Sequence, residues 1–269
     1  MMVCIDSHCH VAPNWYEPVE SLLAQMDRAG VEQAVLIQLL GCYDNRYLLD
    51  CARRFPDRFA VVVAVDINHQ DALQQLERLR DGGAAGIRLR PAARSPGDDP
   101  LAIWRCAASL GLPVSCVGNP AGFASQEFLQ VLDSLPELPV VLEHLGGTSA
   151  ADTSDELRAA RVRSFELSRY QQVYLKIPGL AEFEPRAATL DNEQIPIDLD
   201  AAGRVLATVL EHFRPERLMW GSDFPVVASR EGYDNALNWC RKLMLDLAGS
   251  AGDAVFGATA RAVFRTLHR

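Results

Sequence analysis

Ala60-Val61-Val62-Val63-Ala64-Val65 is a run of six apolar residues with no polar side. Successive side chains of a strand point to opposite faces, so a strand apolar throughout is buried on both. Such strands belong to parallel sheets covered by helices. Outward from this run, short β-branched or apolar stretches recur at Val3–Ser7, Gln33–Gln38, Phe59–Val65, Ala85–Arg90, Pro113–Val117, Pro139–His144, Gln172–Ile177 and Arg217–Gly221. Between them apolar residues take helical spacing, as in Leu73, Leu76 and Leu79, in Phe128, Leu129 and Leu132, and in Val205, Leu206, Val209 and Leu210. Strand alternating with helix over eight strands predicts the α/β class and a (β/α)8 TIM barrel. A doubly wound open sheet shares the rhythm. Its phosphate cradle is missing, however: the first strand runs into His-Cys-His-Val-Ala-Pro, and no Walker-type Lys follows a Gly-rich loop.

The 269 residues, 49% of them apolar, suffice for one large core, and no linker or low-complexity tract divides them, so residues 1–269 are expected to form a single domain. Gly232–Leu247 and Ala251–Leu267 read as C-terminal helices. No apolar run approaches the roughly 20 residues that cross a bilayer, and the N-terminus lacks a secretory leader pattern, which leads us to expect a cytoplasmic protein with no membrane partner. A net charge of -9 without a basic aromatic patch argues against nucleic acid. The seven cysteines at 4, 9, 42, 51, 106, 116 and 240 are scattered without a Cys-x-x-Cys pair and read as small apolar residues. Sequence leaves homo-oligomerisation open.

Chemistry in a barrel collects at the C-terminal ends of the strands. The ends here carry His8 and His10, Gln38, Asp66, Arg88 and Arg90, Asn119, His144, Lys176 and Asp223. His8 and His10 alternate on one strand and share a face, making a nitrogen pair for a divalent metal or a substrate oxygen. Asp223 follows the last strand and reaches the first once a barrel closes, where it could take a proton from water, bind a metal or cap a turn. His144 precedes Gly146-Gly147, a pair that lets backbone approach a ligand. Arg88 and Arg90 would be costly to bury without counter-charge, so they point to an anionic ligand or to an internal acid such as Asp66. Lys176 is a further candidate cation. Two excursions, Arg90–Pro100 and Gly179–Pro196, follow strands and border the same face.

In order along the chain stand Ile5-Asp6-Ser7-His8-Cys9-His10, Asn45-Arg46-Tyr47-Leu48-Leu49 with Pro56-Asp57-Arg58-Phe59, Gly86-Ile87-Arg88-Leu89, Val141-Leu142-Glu143-His144-Leu145-Gly146, Leu175-Lys176-Ile177-Pro178-Gly179-Leu180 and Met219-Trp220-Gly221-Ser222-Asp223-Phe224-Pro225. With these motifs the chain resembles the amidohydrolase superfamily, in its branch of sugar lactonases and 2-pyrone-4,6-dicarboxylate lactonase-like enzymes. The resemblance implies a barrel in which water attacks a carbonyl, Asp223 being the general base. His8, His10 and His144 would orient or polarise that carbonyl, directly or through one ion. Arg88 and Arg90, with Gln38, Asn119 and Lys176, would hold a small anionic substrate. No His ends strand five, where Val117-Gly118-Asn119 stands, and strand four offers arginines instead of a bridging Lys or Glu. That excludes a two-metal site and leaves either a single Zn or Mn on His8, His10 and Asp223 or metal-independent chemistry. The expected activity is hydrolysis of a small carboxylated lactone or related cyclic ester. A metal-dependent non-oxidative decarboxylase and a non-catalytic metabolite-binding barrel are the alternatives.

Overall fold

A computed structural model describes residues 3–148, 154–180, 199–226, 230–265 and 267. Eight strands form one sheet in sequence order: β1 Ile5–Cys9, β2 Gln33–Ile37, β3 Phe59–Val63, β4 Gly86–Leu89, β5 Val114–Cys116, β6 Val140–Leu142, β7 Val173–Ile177 and β8 Leu218–Trp220. All neighbouring pairs from β1 to β8 are parallel. The predicted strands are all present, and the apolar run that suggested the sheet lies at 4% exposure or less throughout.

The sheet closes into a barrel just beyond β8. The Asp223 N–H donates to the His8 carbonyl at 2.8 Å and the His10 N–H to the Phe224 carbonyl at 2.7 Å, around a parallel bridge between Cys9 and Phe224. On the other side of β1, Asp6 pairs with Ala34 but Cys9 with Leu36, so β1 carries one extra residue. A bulge of this kind bends a strand and re-aims its side chains, here beside both histidines.

The helical shell consists of α1 Val19–Ala29, α2 Arg46–Arg54, α3 Ala72–Asp81, α4 Ala102–Ser109, α5 Pro120–Phe123, α6 Gln126–Ser134, the short turn α7 His144–Gly147, α8 Asp155–Phe165, α9 Asp200–His212, α10 Tyr233–Ala248 and α11 Ala258–Val263. Each long helix buries one stripe against the strands, as α1 does with Val19, Leu22 and Met26 and α9 with Ala202, Leu206 and Val209. Inside the barrel a second apolar cluster joins Ile5, Val35, Ile37, Val62 and Met219 to Ala260, Val263, Phe264 and Leu267, so the C-terminal segment stoppers the end opposite the strand tips.

That segment departs from the expected second terminal helix over Ala251–Leu267. A 3-10 stretch, Gly249–Phe256, precedes the shorter α11. Gly257 separates them because a Cβ there would overlap the Val3 carbonyl oxygen. Most of the expected Gly179–Pro196 excursion lies outside the described residues.

Candidate active site

Beneath the strand tips one carboxylate ties the seam together. Asp6 is fully buried. Its Oδ1 accepts from the backbone N–H of His8 (3.1 Å) and of Ser222 (2.9 Å), and its Oδ2 from the hydroxyls of Ser222 (2.6 Å) and Tyr233 (2.8 Å). Burial raises its pKa above the ordinary value, against the pull of these donors. β1, the turn after β8 and α10 are thus pinned at one point. Gly221 passes so close to β1 that a Cβ would fall 2.6 Å from that of His8.

Above this point the expected residues converge. His8 and His10 Nε2 atoms lie 3.1 Å apart, and Asp223 Oδ1 is 3.6 Å from the first and 3.4 Å from the second. The His144 ring centroid lies 4.8 Å from that of His8. Two of these side chains sit on left-handed backbone: Asp223 at φ 57° and His144 at φ 50°, the latter followed by Leu145 at φ 50°. Non-glycine residues held there cost of order 1–3 kcal/mol each and cluster at functional sites. The turn survives because Gly146 and Gly147 continue it and because Gly147 packs directly on the Gly118 carbonyl, where a Cβ would overlap.

The floor of the site is a buried polar relay that the sequence reading anticipated only in part. Glu143, fully buried at the end of β6, takes a bidentate pair from Arg88, Nε to Oε1 at 3.1 Å and Nη2 to Oε2 at 2.6 Å, with Arg88 Nη1 donating to the Gln38 carbonyl. Burial alone would raise the Glu143 carboxyl; Arg88, helped by Lys176, overrides it and holds it at about 2. Ser115 Oγ donates to Glu143 Oε1 at 2.7 Å and accepts from Lys176 Nζ at 2.9 Å, and Nζ also meets His8 Nδ1 at 3.0 Å. Burial pushes Lys176 down to about 8, with Glu143 opposing. Phe264, reaching up through the barrel, lies under Nζ at 5.7 Å.

Several substrate-contact candidates therefore have partners within the protein. The counter-charge that Arg88 requires is Glu143, not Asp66, and comes from inside the fold. Lys176 is 1% exposed and faces His8 and Ser115. The Gln38 side chain donates to the Asp44 carbonyl and accepts from the Leu39 N–H, shaping the loop after β2. Asn119 caps α5, its Oδ1 accepting from the Gly122 N–H at 2.8 Å. Arg90 is exposed just past β4. Asp6, Ser115 and Glu143 were not singled out from sequence. A polar residue inside an apolar strand, as Ser115 is between Val114 and Cys116, was the available signal.

A family profile described as amidohydrolase matches residues 5–266. The chain belongs to the amidohydrolase family. The L-fucono-1,5-lactonase of Burkholderia ambifaria is 31% identical over 261 residues, spanning 93% of this chain and 84% of the relative. The 4-sulfomuconolactone hydrolase of Rhizobium radiobacter is 25% identical over 211 residues, 77% of this chain and 66% of the relative. Among solved structures, an amidohydrolase from Burkholderia multivorans matches with a TM-score of 0.78 at 20% identity, covering 98% of this chain and 99% of the other, a likeness of fold. A second crystal form of that protein carries bound zinc. No helix among the described residues of this amidohydrolase is long and apolar enough to cross a membrane.

The donor set of His8, His10 and Asp223 can be tested against a metal ion on its own geometry. A tetrahedral ion with bonds of about 2.0–2.1 Å needs donors roughly 3.3 Å apart, and the observed 3.1, 3.4 and 3.6 Å bracket that spacing. His10 is prepared as a ligand: its Nδ1 lies 2.7 Å from the Ile37 carbonyl, which must receive a proton, so Nε2 is bare. His8 is prepared otherwise. An ammonium has no lone pair, so the Nδ1 facing protonated Lys176 accepts, and the ring proton sits on Nε2. Nε2–H then donates to His10, which resolves the 3.1 Å approach of the two nitrogens. Burial, then Lys176, depress the His8 pKa well below its ordinary value, in keeping with this neutral ring. The spacing fits an ion, but the hydrogen bonding withholds His8 from it. In a second group, His8, Glu143 and His144, the carboxylate is already engaged by Arg88 and Ser115.

Proposed function

We propose that this amidohydrolase opens a small lactone that carries a carboxylate, with Asp223 activating the attacking water. What supports the reading above all is a partly exposed carboxylate oxygen held within 3.6 Å of two imidazole nitrogens at the mouth of a barrel. The named relatives add to it, being a lactonase and a lactone hydrolase.

In this reading the lactone carbonyl oxygen takes the Nε2–H of His8, displacing His10 as its acceptor, while His144 flanks the same spot. Water beside Asp223 attacks the carbonyl carbon and gives its proton to the carboxylate. A carbon–oxygen bond forms, negative charge collects on the carbonyl oxygen and His8 stabilises it. Collapse breaks the ring carbon–oxygen bond, and the proton on Asp223 passes to the departing alkoxide, leaving a hydroxy acid. Arg90, exposed at the rim, takes the substrate carboxylate, and Arg88 remains with Glu143.

A zinc or manganese ion on His8, His10 and Asp223 would lower the pKa of a bound water and polarise the carbonyl. No step above depends on one, because His8 offers its proton and not its lone pair. A panel of carboxylated and neutral lactones, followed by acid release in chelated protein, tests the proposal. Turnover of carboxylated lactones that survives chelation is the expected result; turnover recovered only on adding metal would replace this scheme with the ion-centred one, and no ring opening under either condition would refute both.

A further inference from the structure

A cleft of about 240 Å³ opens from His10 between the loops that follow β1 and β2. Trp15, Tyr16, Ile37, Leu39 and Leu48 are among the residues that line it, together with His10. Trp15 stacks on Tyr16 with ring centroids 4.6 Å apart, and Tyr16 in turn lies 5.9 Å from His10. The aromatic pair thus forms a continuous face from the reacting centre to the surface. Trp15 nevertheless leaves 57% of its surface in water, apolar area that a ligand seated against it would cover.

Three polar side chains of the cleft are turned to internal work. Both ends of the Gln38 amide are bonded within the loop, Asp44 pairs with Arg46, and the Tyr47 hydroxyl accepts from the Val19 N–H. Asn14 and Cys42 also line the cleft; the rest of what faces the space is mainly apolar. Such a wall rewards a hydrocarbon group and would leave a charged or hydroxylated one unsatisfied. At about 30 Å³ for a water-sized group, the volume holds a chain of several carbons.

We propose that this cleft is a subsite for an apolar arm of the substrate, an alkyl or aryl substituent on the lactone ring. It rests on the lactone reading and extends it. The carbonyl sits at His8, His10 and Asp223, and the arm runs outward along the face of Tyr16 and Trp15.

Six-membered lactones that carry a ring carboxylate and bear hydrogen, methyl, propyl or pentyl on the carbon next to the ring oxygen provide the test. Each methylene that enters the cleft should raise kcat/KM about threefold to fourfold until the cleft is full. Trp15→Ser, which lies outside the catalytic cluster, should keep the rate on the unsubstituted ring and flatten the rise. A flat or falling series in the parent protein, with the unsubstituted lactone still opened, overturns the subsite and leaves the hydrolysis reading intact. Should none of the lactones be opened, six-membered lactams with the same arms separate the two by calorimetry. Affinity that grows with arm length in the parent protein and not in Trp15→Ser upholds the subsite without the reaction; affinity indifferent to the arm overturns it.

Discussion

Asp223 donates its backbone N–H to the carbonyl of His8 at 2.8 Å, while its side chain faces the His8 imidazole at 3.6 Å. One residue therefore closes the barrel with its main chain and brings its carboxylate beside the two imidazoles. The two roles separate on substitution.

Asp223→Asn keeps the backbone bond, and Asn tolerates the left-handed φ of 57° well. Lactone turnover should fall by about 10²–10⁴, the usual contribution of a general base, while thermal unfolding stays within a degree or two of the parent. A substantial residual rate in a folded variant would remove Asp223 from the role of base.

Lys176→Met takes away the donor that occupies His8 Nδ1. The ring proton is then free to leave Nε2, and His8 can join His10 and Asp223 around an ion. Zinc affinity, measured by competition with a chromophoric chelator, should rise on the order of tenfold or more, the scale of a supporting hydrogen bond to a metal-bound histidine. Nitrogen NMR of the histidine rings should show the proton exchanging position. Unchanged affinity and an unchanged tautomer would mean that Lys176 does not govern His8.

Arg88→Ala leaves Glu143 charged, buried and without its bidentate partner. A loss of about 3–5 kcal/mol is expected in urea unfolding. Arg90→Ala, at an exposed position, should leave stability nearly unchanged and raise KM for carboxylated lactones more than for neutral ones. If neutral and carboxylated substrates suffer alike, Arg90 does not hold the carboxylate.

Glu143 titrates at about 2 in the fold against an ordinary 4.5. A depressed acid supports the folded state fully above its unfolded value and ceases to do so as pH falls through the folded one. Stability should thus decline between roughly pH 4.5 and pH 2, and Glu143→Gln, weaker overall, should show a shallower decline across that window. Parallel declines in the two proteins would place the acid sensitivity elsewhere.

The barrel was legible because burial on both faces leaves an unmistakable trace: Ala60 to Val65 reads as a strand whatever packs on it. His8, His10, His144 and Asp223 were legible because each stands at a strand end, and parallel register brings strand ends together. Glu143 and Lys176 show the limit. Both were visible as residues, yet nothing local says that Glu143 turns inward to Arg88 or that Lys176 points at an imidazole 168 positions earlier. Such pairings are set by the stagger of strands around the ring. For the same reason Asn119 and Gln38, correctly placed near the rim, could not be recognised from the chain as a helix cap and a loop brace.

His8 lies in β1 and His10 just past it, the aspartate lies in the turn after β8, and the hydrogen bonds of Asp223 and Phe224 join the two. A nascent chain that has folded as far as β7 carries imidazoles but no base beside them. If Asp223 is the base we propose, reactivity arises together with ring closure, and a half-assembled barrel cannot activate water at this site.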